Sequence, residues 1–261
     1  MNSKIAIFGS GLSAAYVYAA CRDNGLSADF YSDKTFGARP ESFGPIKLDW
    51  VPQWVKVTPH PIWLFSLGNK QDYLKRMNRT SGSTTFPENG RTELVAYNPN
   101  EVLDELQPVD EKIILGKFTD SEIEQISKKY LHTFVTFPLQ QSRSDGKLVS
   151  YWIYVLTRHS DLSLPNMVIY NGTKNFAWTR FSHYWGVYMW EFSHAEYPDL
   201  PPRPNIWAEP VKIFDIAPDV PEYFSPYPNV TMVGRWARWS KSVLAQDAYS
   251  QADKILKELI K

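Results

Sequence analysis

The first 33 residues switch between two hydrophobic periods. Lys4 to Phe8 is an apolar run of strand length, Ser13 to Asn24 is an Ala-rich helical pattern closed by Gly25, and Ala28 to Ser32 is a second short strand. Strand, helix and strand in this order predict a βαβ unit. Farther on, the pattern predicts strands at Trp63 to Leu67, Lys112 to Leu115, His132 to Phe137, Val149 to Leu156, Met167 to Asn171 and Asn229 to Val233. Phe176 to Phe192 reads as one long strand that is largely apolar on both faces, with Phe181, His183, Trp185, Val187 and Met189 on one of them. Such a strand is covered on both sides. Helices are predicted at Asn98 to Leu106, where Pro99 suits a first turn, and from Thr119 or Asp120 through Lys129, with Glu122 in a capping position. A last helix runs from about Ser242 to Ile260, with Leu244, Ala248, Ala252, Ile255, Leu256 and Leu259 as its buried stripe. Asp33 to Pro61, Asp72 to Asn78, Gln140 to Lys147 and Pro198 to Pro210 read as polar or Pro-rich connections.

The turn inside the βαβ unit is Gly9-Ser10-Gly11-Leu12-Ser13-Ala14, a G-x-G-x-x-A pattern. Gly9 permits the tight turn out of the strand, Gly11 lets a pyrophosphate approach the backbone, and Ala14 lets the helix lie close to the strand. The amide groups at the helix start then face the phosphates. A ribose-binding acid is expected at the end of the second strand. That slot falls on Ser32, and the acid comes one residue later at Asp33. Either a one-residue shift restores it, or Ser32 makes a neutral hydrogen bond to the ribose.

Composition narrows the setting. The chain has 261 residues, enough for one large α/β domain or two small ones sharing a core, and its formal charge is zero. Net charge therefore gives no indication of nucleic acid or an anionic membrane, although it would hide a local basic groove. The lone cysteine, Cys21, cannot form an internal disulfide, which fits a reducing, cytoplasmic compartment. No apolar stretch reaches membrane-spanning length. Lys4 and the run after it superficially resemble a signal peptide, but the βαβ reading explains the same residues better. Aromatic residues make up 15% of the chain, which suits a β-rich core, a flat ligand held between rings, or both. P-loop, H-E-x-x-H and G-x-S-x-G motifs and cysteine clusters are absent from the sequence, and the histidines His183 and His194 lack metal-ligand spacing.

A second motif lies at the far end: Met232-Val233-Gly234-Arg235-Trp236-Ala237-Arg238-Trp239, then a helix. Together the two ends resemble the FAD-binding fold of amine oxidases and UDP-galactopyranose mutases. Tyr130 to Pro138 resembles that superfamily's helix and strand ending in a T-x-P turn; Thr179-Arg180 and Glu196-Tyr197-Pro198 resemble the mutase's T-R strand and E-Y-P end. The resemblance implies an α/β chain with a Rossmann-like, glutathione-reductase-type FAD-binding domain and a smaller antiparallel sheet on the substrate side. The FAD domain would comprise 1–62, 111–148 and 205–261, with 63–110 and 149–204 on the substrate side. FAD would be held by Gly9, Gly11, Leu12, Ser13, Ala14, Ser32, Asp33, Gly44, Phe118, Gly234, Arg235, Trp239, Ser242 and Val243. Departures are equally plain. Ile46 and Asp49 stand where mutases carry two histidines, and the tyrosines that grip a sugar-nucleotide diphosphate are replaced around Trp239 to Ser242.

The expected activity is that of an FAD-dependent oxidoreductase taking a hydride from an amine or amino-acid C–N bond; by analogy of size and fold, the substrate could be an aminoacyl-modified base of viral DNA. Candidate catalytic residues are Lys47, Asp49, Arg180 and Tyr184. Lys47 and Asp49 would share one strand face, and the alternative for them is plain surface. Arg180 would clamp a carboxylate or phosphate, or else form a strand-edge salt bridge. Trp178, Tyr184, Trp185 and Tyr188 would wall a pocket or simply fill core. Two other readings stay open: a mutase-like non-redox flavoenzyme, with Arg158 and Arg180 on a diphosphate, and a non-catalytic dinucleotide-binding protein. Nicotinamide binding competes for the first motif; the second Gly-Arg motif favours FAD.

Overall fold

The computed structural model describes residues 4–35, 48–77, 86–108, 111–137, 139, 148–157, 164–193, 196, 201, 209–216, 224–235, 237–238 and 244–261, with 148–157 and 209–216 as backbone apart from Tyr154. Two sheets organise it. The first is parallel throughout and contains β1 (Ile5–Phe8), β2 (Ala28–Ser32), β5 (Lys112–Leu115), β6 (His132–Val135) and β12 (Val230–Met232), in the spatial order β12-β6-β1-β2-β5. Strand succession reverses beside β1, and ligands in open parallel sheets bind in the crevice at the carboxyl end of such a reversal.

Helices cover both faces of this sheet, which is why every residue of β1, β2 and β6 is buried. Ile5, Ile7, Phe30 and Phe134 face α1 (Leu12–Asp23) and the last helix, α5 (Asp247–Leu259), while Ala6, Phe8, Tyr31 and Val135 pack with Ile123 of α4 (Asp120–Ser127). α1 can lie close because Ala14, Ala15, Ala19 and Ala20 present no bulk, and all four are fully buried. α4 starts on a reciprocal cap, Thr119 accepting from the Glu122 amide and Glu122 from the Thr119 amide, as its sequence predicted. The segment after residue 48 lies across α1 and α5. Leu48 bridges Tyr97, the Tyr16 hydroxyl donates to the Trp50 carbonyl at 2.6 Å, and the Trp54 indole donates to Asp23 at 2.7 Å.

The second sheet departs from expectation. It has seven strands against five, in the order β11-β7-β10-β9-β8-β3-β4, so it is not the smaller one. Nor is it wholly antiparallel, because β3 (His60–Leu67) pairs in parallel with β8 (Met167–Asn171). Its edge strands, β4 (Arg91–Ala96) and β11 (Glu209–Ile216), lie almost wholly in stretches to which the sequence pattern assigns no element, and the helix α2 (Lys70–Arg76) overlaps the polar segment Asp72 to Asn78, which reads as a connection. β7 (Leu148–Thr157) and α3 (Pro99–Glu105) match their predicted places closely.

The long aromatic strand is in fact a hairpin, β9 (Arg180–Tyr184) and β10 (Val187–Glu191). Its two turn residues, Trp185 (φ 52°) and Gly186 (φ 79°), both have positive φ, the geometry that matches the twist of flanking strands. Pairing of Glu191 with Arg180 and of Trp190 with Phe181 redraws the faces. Arg180, Ser182, Tyr184, Val187, Met189 and Glu191 share one; Phe181, His183, Tyr188 and Trp190 share the other.

Arg76 locks one end of this sheet. It is 8% exposed, pairs with both Glu196 oxygens at 3.0 and 2.9 Å, and donates to the carbonyls of Asn171, Thr173, Phe176 and Ala177. The last helix begins at Asp247, later than predicted, and Leu244 and Leu259 are 45% and 40% exposed, so its buried stripe is Ala248, Ala252 and Leu256. No described helix is long and apolar enough to cross a membrane.

Candidate functional site

The carboxyl edge of the parallel sheet gathers the two glycine motifs. Gly9 leaves β1 at φ +123°, and its amide donates to the Tyr31 carbonyl at 2.8 Å. A Cβ on Gly9 would come within 2.0 Å of Thr136 Oγ1, so this glycine is required by the neighbouring strand end as well as by the turn. Thr136 itself donates back to the Phe8 carbonyl at 3.0 Å, tying the T-x-P turn to the glycine turn. Gly234 (φ +82°) lies against the start of α1, where a Cβ would meet Ser13 Oγ at 2.5 Å. The chain's two ends therefore meet at one point.

Gly11 differs from both. Among the described residues, a Cβ added there meets nothing within 4 Å, so open space lies in front of it. As N-cap of α1, Gly11 offers no capping side chain, and the first turn carries no acid. Helix geometry leaves the amides of Leu12, Ser13 and Ala14 without intrahelical partners, and the helix dipole makes that end attractive to an anion. An uncapped helix start facing open space, with Gly234 packed against Ser13 beside it, fits the pyrophosphate of a dinucleotide.

Around this centre, Ser32 is buried and its hydroxyl donates to Ser10 Oγ at 2.8 Å, whereas Asp33 is exposed. Phe118 packs edge-on against Phe8 and Tyr31, at 5.5 and 5.4 Å between centroids, at the β5 end of the same edge. Arg235 follows Gly234 and is half-buried. Gly44, Lys47, Trp239, Ser242 and Val243 lie outside the described residues. Asp49 is exposed, and its amide donates to Gln246 Oε1, the N-cap of α5, at 3.2 Å.

The remaining candidates stand on the second sheet. Arg180 is directly opposite Glu191 and is bonded to it; the carboxylate is 3% exposed and the arginine side chain 32%. Burial pulls the guanidinium's pKa down, but Glu191 and the adjacent tyrosines more than offset this, and Arg180 stays charged. The salt-bridge alternative for Arg180 is thus realised, with a third of the side chain still accessible. Tyr184 lies four residues on, on the same face of β9. Burial, reinforced by Tyr170, Glu191 and Asp49, pushes its phenol well above the usual range, so it stays protonated and can donate a hydrogen bond. That Asp49 acts on Tyr184 brings the 48–51 segment within electrostatic reach of the second sheet. Trp178 and Trp185 are partly buried; Tyr188 is core.

Ser10, Thr136, Glu191 and Gln246 escaped the sequence reading. Glu191 was findable: a two-residue turn at Trp185-Gly186 sets it opposite Arg180. Ser10 and Thr136 are visible only once the strand ends are aligned.

No protein-family model matches the chain, and no curated protein matches it in sequence. Solved structures do match. A protein from Photorhabdus luminescens, assigned as an FAD-containing monooxygenase, superposes with a TM-score of 0.54 at 9% identity, over 98% of this chain and 89% of that one. The flavin-dependent brominase Bmp2 gives 0.52 at 10% identity, over 100% and 80%. The L-amino acid deaminase of Proteus vulgaris, with its specific insertion sequence deleted, gives 0.50 at 9% identity, over 100% and 90%. At such identities the likeness establishes the fold: this α/β chain is built as these enzymes are, over its whole length.

Proposed function

We propose that this protein is an FAD-dependent oxidoreductase with a glutathione-reductase-type FAD-binding domain. The observation that carries the reading is the junction of Gly234 with Ser13 beside the open Gly11, which assembles one nucleotide cradle from both ends of the chain. The uncapped amides of Leu12 to Ala14 would receive the pyrophosphate, and Arg235 would add positive charge beside it. FAD supplies hydride acceptance when bound. The seven-stranded sheet provides the substrate side.

The finer reading is oxidation of an amine or amino-acid C–N bond. Asp49 offers negative charge to a substrate ammonium group, and Tyr184, held protonated, offers a hydrogen bond. Arg180, already matched by Glu191, presents a planar donor edge more than a free cation. The deaminase with this fold acts on amino acids, which supports C–N chemistry on such a scaffold. The brominase and the monooxygenase support a second reading, oxygen-dependent modification of the substrate.

One experiment addresses both levels. The purified protein is examined for a flavin absorption spectrum, and the chromophore is released by heat and identified. FAD in the supernatant is the expected result; a colourless protein that takes up no added FAD sinks the flavoenzyme reading. Anaerobic addition of amines and amino acids then separates the finer readings. Direct bleaching of the flavin band by an amine or amino acid marks C–N oxidation, whereas bleaching that requires a reduced nicotinamide marks an oxygenase.

A further inference from the structure

In a parallel sheet of this order, the residue closing the second strand meets the adenosine ribose, and its usual carboxylate accepts from the ribose hydroxyls. Here that residue is Ser32. Its hydroxyl is 2.8 Å from Ser10 Oγ, and the Lys34 amide donates to Ser32 Oγ at 3.2 Å. Ser10 sits between Gly9 and Gly11, so the hydroxyl pair joins the strand end to the phosphate turn.

Asp33 does not enter this arrangement. It is exposed, and among the described residues its carboxylate meets no hydrogen-bond or ion-pair partner. Nor can a one-residue shift bring it into the slot. Gly9 donates to the Tyr31 carbonyl and Gly116 to the Ser32 carbonyl, both at 2.8 Å, and β2 is held in register by β1 on one side and β5 on the other. A slip would exchange the faces of Phe30 and Tyr31, which pack into different cores.

Building on the FAD reading, we propose that the Ser10–Ser32 hydroxyl pair is the ribose-recognition element of this protein. The ribose is read by a neutral group, and FAD is held in reversible exchange. A neutral hydroxyl contributes roughly half of what a carboxylate contributes to such a bond, and Ser32, already accepting from the Lys34 amide and donating to Ser10, has one lone pair left to accept from a ribose hydroxyl.

The test is an equilibrium titration of FAD into the apoprotein, followed by flavin fluorescence, with thermal melting as the folding control. Ser32→Glu is expected to tighten FAD binding roughly tenfold. Ser32→Ala weakens it several-fold, and Asp33→Ala leaves it unchanged. An Asp33→Ala variant that loses more affinity than Ser32→Ala overturns the proposal, as does a folded Ser32→Glu variant that binds no tighter than wild type. Should Ser32→Glu not fold, the two alanine variants decide alone. A wild-type protein that binds no FAD overturns the FAD reading and this proposal together, and is recognised because no variant titrates.

Discussion

Gly234 touches Ser13 across 221 positions of sequence: a Cβ on Gly234 would lie 2.5 Å from Ser13 Oγ and 2.8 Å from Ser13 Cβ. The contact welds the loop after β12 to the first turn of α1. It also separates two uses of glycine at one site. Gly234 needs its positive φ and its missing Cβ for the fold; Gly11 has ordinary φ and no described neighbour within reach of a Cβ, so its missing Cβ serves what binds there. Gly234→Ala is therefore expected to destabilise the protein by about 2–3 kcal/mol, lowering the melting temperature by roughly 5–10 °C, and to lose FAD. Gly11→Ala is expected to melt within about 1–2 °C of wild type and still lose FAD. Thermal melts and flavin content of the two variants check this. Equal destabilisation would mean that Gly11 is a packing residue.

His132 gives the fold an acid limit. It is 7% exposed on β6, with Nε2 2.9 Å from Thr231 Oγ1, and burial pushes its pKa down to about 4. Above the unfolded value near 6.5 the imidazole is neutral in both states and stability is unaffected. Between about pH 6.5 and 4 the unfolded chain takes up a proton that the folded protein refuses, so stability falls as the pH is lowered. The loss approaches about 1.4 kcal/mol per pH unit and totals roughly 3 kcal/mol by pH 4. His132→Phe should remove this slope. Urea midpoints for both proteins from pH 7 to pH 5 measure the difference, and parallel curves would show that His132 does not titrate.

The parts legible from sequence are those whose signals are local. The βαβ start, the Thr119–Glu122 cap and β5 each carry their cause within a few residues. The β9–β10 hairpin was hidden because both faces of Phe176 to Phe192 are apolar or aromatic, so alternation showed no break. A tryptophan occupies a positive-φ turn position where Asn or Gly is usual. α2 was missed because it is short and polar, and its one buried cation, Arg76, owes its burial to Glu196 and to the distant carbonyls of Asn171, Thr173, Phe176, Ala177 and Trp178. β4 was missed because Arg91 to Glu93 are exposed on an edge strand and show no apolar face. At the site, the glycines were readable from their turn, but Ser10, Thr136 and Glu191 acquire roles only through tertiary alignment.

The Arg180–Glu191 pair separates a structural role from a substrate-facing one. Glu191 is buried and Arg180 is not fully so. Removing the arginine alone strands a carboxylate in the sheet, and Arg180→Ala is expected to cost about 3–5 kcal/mol. Replacing both partners by aliphatic residues of similar size, as in Arg180→Met with Glu191→Leu, removes the stranded charge and should return stability to within about 1–2 kcal/mol of wild type. Urea unfolding of the single and double variants gives the coupling between them. The double variant then carries the functional question without a folding defect. If the accessible third of Arg180 faces the substrate, anaerobic reduction of bound flavin by substrate should slow at least tenfold in the double variant while FAD affinity stays the same. Unchanged reduction would assign the pair to the sheet alone and move substrate recognition toward Tyr184 and Asp49.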